Sequence, residues 1–299
     1  MTTELISSRY SDLDLWTTAE AVQAMLEAQL SAAAAVQSQE SMIAAAAEAA
    51  AERLRDGTGR LIYAGAGTSG RLAVQDGVEL GPTYNWPEHR TVYALAGGMK
   101  ALLTSVEGAE DDRSAGEAEI TAAKAGAKDV VIAVAASGRT PYTLGAVQTG
   151  ATAGALTIAI ASNPGSPLLQ AADYPLILDT GAEVVAGSTR MKAGTAQKIA
   201  LNVLSTAIML RLGRIYRGMM VDMRVSNQKL HDRAARMVRE ITQVDEDSAS
   251  AALNEAGGQI KLASLIARGW GADEATRLLS ESGDNLRAAL ERSAAPPIE

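Results

Sequence analysis

The chain has 299 residues, enough for one large α/β domain plus a smaller unit, and its 47% hydrophobic and 21% charged content supports a buried core rather than global disorder. A formal net charge of −8, 3% aromatic residues and no lysine- or arginine-rich stripe argue against nucleic acid as a partner. Cysteine is absent, which removes disulfides, thiolate nucleophiles and cysteine-ligated metal sites together.

Residues 1–16 are polar, with no basic region leading into an apolar stretch, so they do not read as a signal peptide. Residues 18–55 are alanine-rich, with apolar positions three and four apart, and predict helix as far as the stop at Asp56-Gly57-Thr58-Gly59. A short apolar strand at 60–64 runs into Gly65-Ala66-Gly67-Thr68-Ser69-Gly70, and a helical pattern follows to about Glu79. A strand at 91–96 comes next. Residues 129–135 form a third apolar run, followed by Ala136-Ser137-Gly138-Arg139-Thr140 and a helix opened by Pro141. A fourth run, 155–161, ends in Ser162-Asn163-Pro164-Gly165-Ser166, and 174–178 is a fifth strand. From Gly181 a long apolar pattern predicts a helix ended near Gly213. Beyond about Asn227 strand-like runs vanish. Five short helices are expected there, at 227–244, 248–255, 260–268, 272–280 and 285–292, with the tail 293–299, including Pro296-Pro297, expected to fray. No apolar run is long enough to span a bilayer, and no membrane contact is expected.

Continuously apolar strands alternating with helices predict a parallel sheet covered on both faces, in a domain over residues 1–226, with a small all-helical domain over 227–299. Such sheets bind ligands at the carboxyl ends of their strands, where the three Gly/Ser/Thr turns fall. Backbone N–H groups at a helix N-terminus bind anions, and Thr68 and Ser69 after Gly67 add hydroxyl donors. Ser137 and Thr140 flank Gly138 so that two hydroxyls and free amides converge on one phosphate. A small phosphorylated sugar is therefore the expected ligand. A lone turn of this kind would equally serve as a helix cap. A nicotinamide enzyme would place a carboxylate at the end of the next strand to hold the ribose. Here that strand ends in Gly97-Gly98-Met99-Lys100, and no glycine loop continues into Gly-Lys-Ser/Thr. His89 and His231 lack a second histidine at ligand spacing, so a histidine-based zinc site is not expected.

Four segments carry a resemblance: Thr68-Ser69-Gly70-Arg71-Leu72, Ser137-Gly138-Arg139-Thr140-Pro141-Tyr142, Asn163-Pro164-Gly165-Ser166, and the block over residues 181–198 containing Gly181-Ala182-Glu183 and Ser188-Thr189-Arg190-Met191-Lys192-Ala193-Gly194-Thr195. Together they resemble the sugar-isomerase (SIS) domain and, more narrowly, the N-acetylmuramic acid 6-phosphate etherase family. The likeness runs over nearly the whole chain, and the tail helices are similar to that family's small ubiquitin-associated-like fold. The resemblance implies a cytoplasmic homodimeric lyase of peptidoglycan recycling that removes D-lactate from a phosphosugar with two glutamates and no metal. Carried over residue by residue, these are Glu79 in Val78-Glu79-Leu80-Gly81-Pro82 and Glu110 in Glu107-Gly108-Ala109-Glu110-Asp111.

An ether oxygen leaves readily only if it is protonated on departure, and the proton on C2 of the open-chain aldehyde is acidic enough for a carboxylate to remove. One carboxyl must start protonated and the other ionised. The resemblance makes Glu79 the acid and Glu110 the base, an assignment the residues themselves leave open. Glu183 is a third candidate, either handling the open-chain sugar or its C2 substituent, or serving as a helix-start glutamate favoured by the dipole. Two departures stand out: Gly81-Pro82 where the family carries Pro-Pro, which would alter a turn next to Glu79, and Ala135 where isomerase-type domains carry serine. Rival functions are a phosphosugar-binding regulator, which would need neither glutamate, and a phosphosugar isomerase acting through Glu183.

Overall fold

The structure, a computed structural model, describes residues 1–292; the tail expected to fray lies outside the described residues. Five parallel strands, β1 (Leu61–Gly65), β2 (Thr91–Leu95), β3 (Val130–Val134), β4 (Leu156–Ala161) and β5 (Tyr174–Ile177), form one sheet in the order β2-β1-β3-β4-β5. Every residue of β1, β3 and β4 is buried, as their unbroken apolar runs require when helices cover both faces. Strand alternation sorts the contacts. Ile62, Ala64 and Val131 pack with Ile120 of α4 (Arg113–Ala122) and Ala146 of α5 (Pro141–Thr152). Tyr63 points the other way, toward α3 (Gly67–Tyr84) and α7 (Lys192–Arg211). There its hydroxyl donates to Asp76 at 2.8 Å, and Asn202 and Ser205 donate to the same carboxylate at 2.6 and 3.0 Å. Burial raises the Asp76 carboxyl above the usual carboxylate range, against the pull of these donors.

The helix expected over 18–55 is two helices, α1 (Thr18–Gln37) and α2 (Glu40–Leu54). The break has a tertiary cause: Gln39 sits between them, and its Oε1 accepts the Ile177 amide on the edge strand β5 at 3.1 Å. The helix expected from Gly181 begins eleven residues later, as α7 at Lys192. Residues 181–191 are a loop, tied down by Gly187 N–H donating to Thr3 O at 3.2 Å. Pro82 lies inside α3, so the Gly81-Pro82 departure falls within a helix, and an added Cβ at Gly81 would meet nothing closer than Trp86 O at 4.0 Å. A short helix, α6 (Pro167–Gln170), and α4 were not expected from the sequence.

The chain divides into two compact units, one of Met1–Val78 and Glu88–Ile208, the other of Glu79–Pro87 and the chain from Met209 on. The second opens with a hairpin, β6 (Ile215–Tyr216) and β7 (Met219–Met220), whose turn residues Arg217 and Gly218 both have positive φ, as a two-residue primed turn demands. Five helices follow: α8 (Gln228–Thr242), α9 (Glu246–Glu255), α10 (Ile260–Ile266), α11 (Ala272–Glu281) and α12 (Leu286–Arg292). Val238, Leu253, Ile260, Leu265 and Leu286 form their core. Lys261 is buried in it because Asp222 at 2.6 Å and Asp284 at 3.1 Å compensate its charge.

Candidate functional site

In an open sheet with this strand order, the connections after β1 and β3 leave in opposite directions, and a crevice opens between them at the carboxyl ends. Gly65 and Val134, the last residues of the two strands, are register partners, so the turns that follow them are neighbours. Two adjoining cavities occupy this crevice, of about 260 and 350 Å³, and both are lined by Ala66, Gly67 and Glu110. Their combined size suits a small phosphorylated metabolite.

The first turn delivers the start of α3, whose leading N–H groups have no intrahelical acceptor. It is tight: a Cβ on Gly70 would lie 2.8 Å from the Gly65 backbone and 2.5 Å from Leu95 Cδ1. Gly67, Thr68 and Ser69 line the larger cavity. Ser69 is buried and its hydroxyl donates to Gln197 Oε1 at 3.0 Å, while Gln197 Nε2 is buried without a partner among the described residues. Turning the Gln197 amide end for end would let Nε2 donate to Ser69 Oγ and free the serine proton for an anion in the cavity.

The second turn brings Ser137 and Thr140 to the same cavity, with their hydroxyl oxygens 3.4 Å apart, and Ser137 Oγ accepts the Arg139 amide at 3.1 Å. Thr140 is the residue before α5, which Pro141 opens, and the Thr140 hydroxyl makes no capping hydrogen bond. Between the two, Gly138 has φ +63°, and a Cβ there would sit 2.1 Å from Ser166 Oγ. The third turn braces this arrangement: Asn163 Nδ2 donates to Ala136 O at 2.8 Å and to Thr3 Oγ1 at 3.1 Å.

Glu110 stands on a single 3₁₀ turn (Ala109–Asp111) that follows Gly108, itself left-handed at φ +73°, and its exposed side chain faces both cavities. Thus the structure brings together Gly67, Thr68, Ser69, Ser137, Thr140 and Glu110. Glu79 is an exposed side chain on α3 in the second unit and does not line either cavity. Glu183 is fully buried; its Oε2 accepts the Lys192 amide at 3.0 Å and its Oε1 the Ala193 amide at 2.9 Å, so it closes the N-terminus of α7. The ammonium of Lys192, donating to Thr180 O at 2.8 Å, has its pKa lowered by burial, with Glu183 opposing that shift.

Sequence reasoning assigned no role to four further residues at this crevice. Arg71 lines the smaller cavity and Arg139, Glu4 and Thr189 the larger. Both arginines stand inside quoted motifs, and a basic residue within an anion-binding turn was the signal to follow. Glu4 and Thr189 come from distant segments, brought in by the Thr3–Asn163 and Thr3–Gly187 hydrogen bonds. No cluster of three metal-ligating side chains occurs among the described residues.

Two family models match the chain. The model described as the glucokinase regulatory protein N-terminal SIS domain matches residues 42–151, and that of the C-terminal lid domain of glucokinase regulatory protein matches 217–260. A protein from Deinococcus radiodurans named N-acetylmuramic acid 6-phosphate etherase is 52% identical over 96% of this chain and 94% of its own length. Bearers of the same name from Rubrobacter xylanophilus (47% identical, 96% of both chains) and Mycolicibacterium smegmatis (43%, 96% and 97%) align as completely. With 43–52% identity sustained over 96% of its length, the chain belongs to the N-acetylmuramic acid 6-phosphate etherase family.

Proposed function

We propose that the protein is a carbon–oxygen lyase that cleaves the D-lactyl ether of N-acetylmuramic acid 6-phosphate with water, giving N-acetylglucosamine 6-phosphate and D-lactate. The observation that carries the reading is that Glu110 lines the same cavity as two amide- and hydroxyl-rich turns at one sheet crevice. Those turns, through Gly67, Thr68, Ser69, Ser137, Gly138 and Thr140, hold the phosphate. Glu110 removes the C2 proton of the open-chain aldehyde. The C3–O bond breaks as the departing oxygen takes a proton, leaving a C2–C3 double bond conjugated to the aldehyde. Water then adds at C3 and a proton returns to C2. Glu79 is the proposed acid on the departing lactate, an assignment that rests on the resemblance. Glu183 acts through the loop it anchors, the one carrying Thr189 to the cavity.

We extend the reading to a homodimer of the cytoplasm, in peptidoglycan recycling, working without metal or other cofactor. Supporting the dimer, Val22, Leu26 and Leu30 recur every fourth residue on α1 and are 44%, 65% and 73% exposed. No helix among the described residues is long and apolar enough to cross a membrane.

The deciding test is incubation with N-acetylmuramic acid 6-phosphate in oxygen-18-labelled water. Elimination and hydration require D-lactate release with label on the C3 hydroxyl of the sugar. Folded protein that binds the substrate and releases no lactate would rule the lyase reading out. The phosphate assignment has its own consequence: Ser137→Ala removes a donor to a charged group, worth about 1.5–3 kcal/mol. KM is expected to rise roughly ten- to hundredfold with kcat changed less than about threefold. An unchanged KM would remove the second turn from the phosphate site.

A further inference from the structure

We infer that Arg71 is the residue that recognises the lactyl carboxylate, and so distinguishes the etherase substrate from its product. The inference rests on the proposed reaction, whose substrate carries two anionic groups at different carbons of the sugar: the phosphate on C6 and the carboxylate of the ether on C3. The crevice is correspondingly double. Hydroxyls and helix-start amides cluster in the larger cavity, whereas Arg71 is the one cation among the described residues lining the smaller. Gly67 and Glu110 border both. A phosphate seated in the larger cavity leaves C2 and C3 beside Glu110 and directs the lactyl arm into the smaller one.

Arg71 is built for that role. It lies four residues after Gly67 on α3, so both face the same side of the helix. Its Nε donates to Ala101 O at 2.8 Å, which fixes the plane of the guanidinium and leaves the two terminal nitrogens without a partner among the described residues. A guanidinium so held presents a planar fork that matches a carboxylate. The need for it is local: Glu107 and Glu110 bring two carboxylates to the same cavity, and an anionic substituent entering beside them requires a cation. Held at its carboxylate, the lactyl group stays oriented while its ether oxygen departs from C3.

The test compares two sugar phosphates that differ only in the lactyl group. Titration of Arg71→Met with N-acetylmuramic acid 6-phosphate is expected to show affinity reduced by a hundredfold or more. Affinity for N-acetylglucosamine 6-phosphate should stay within about threefold of wild type. Arg71→Lys keeps the charge without the fork and should recover only part of the loss, and added methylguanidine should restore some lactate release to Arg71→Ala. An equal loss for both sugar phosphates would make Arg71 a phosphate or folding residue and overturn the inference, as would unchanged affinity for both. Because the readout is binding, a wild-type protein that binds both compounds but releases no lactate would defeat the proposed reaction and still let this comparison decide the role of Arg71. A wild-type protein with equal affinity for the two would overturn the inference directly.

Discussion

Replacing Glu110 by glutamine is expected to lower the rate of D-lactate release by roughly 10²- to 10⁴-fold, the usual contribution of a positioned acid or base. The amide keeps the size and shape of the side chain but cannot accept a proton. Because Glu110 is exposed on the rim and is not part of the packed core, the melting temperature should be unchanged and substrate affinity should shift only a few-fold. A second readout separates base from acid. In deuterium oxide the wild-type protein should exchange the C2 proton of N-acetylglucosamine 6-phosphate, because addition of water is reversible and the open-chain aldehyde is available. Glu110→Gln should lose that exchange along with lactate release. Glu79→Gln should lose lactate release but retain exchange at C2, since its proposed task begins at the departing oxygen. If Glu79→Gln abolished exchange and Glu110→Gln spared it, the two roles would be reversed; if neither affected lactate release, the carboxylate pair would not be the catalytic one.

The layered core was legible because a strand buried on both faces has little freedom in composition. The runs ending at Gly65, Val134 and Ala161 contain nothing but apolar or small residues and one threonine, and all became central strands. The five helices of the second unit were equally readable, each bounded by its own cap or glycine, such as Asn227, Asp245 and Gly271. What escaped was set by partners far along the chain. Nothing local in an alanine-rich run marks Gln39 as a break; the unpaired amide of an edge strand does. Nor does apolar spacing from Gly181 reveal a loop, since residues 181–191 hold their shape through Thr3 and through a buried carboxylate. Of the crevice, the hydroxyl turns were visible as motifs between strand and helix. Arg71 was visible as a letter in a motif, without its direction. Glu4 was invisible, because its place at the cavity depends on Asn163 and Gly187, more than 150 residues away.

That buried carboxylate gives the other large effect. Glu183→Ala is expected to destabilise the protein by about 3–5 kcal/mol, because it removes two hydrogen bonds to an ionised group, each worth about 1.5–3 kcal/mol, and strands the Lys192 and Ala193 amides in the interior. It also takes away the negative charge that favours the Lys192 ammonium, whose pKa burial already lowers. For a chain of this size the loss corresponds to a fall in melting temperature of about 5–8 °C. Glu183→Gln retains one acceptor oxygen and should lose less than Glu183→Ala, but its amide nitrogen now faces a backbone N–H, so some destabilisation must remain. Lactate release by the folded fraction should fall far less than in Glu110→Gln, since both oxygens of Glu183 are already engaged and neither faces the cavities. This distinguishes the helix-start role from that of a proton carrier on the open-chain sugar. A Glu183→Gln protein that melts like wild type yet loses lactate release a hundredfold would reverse the argument, because a carboxylate needed only to close a helix cannot be catalytically essential without being structurally missed.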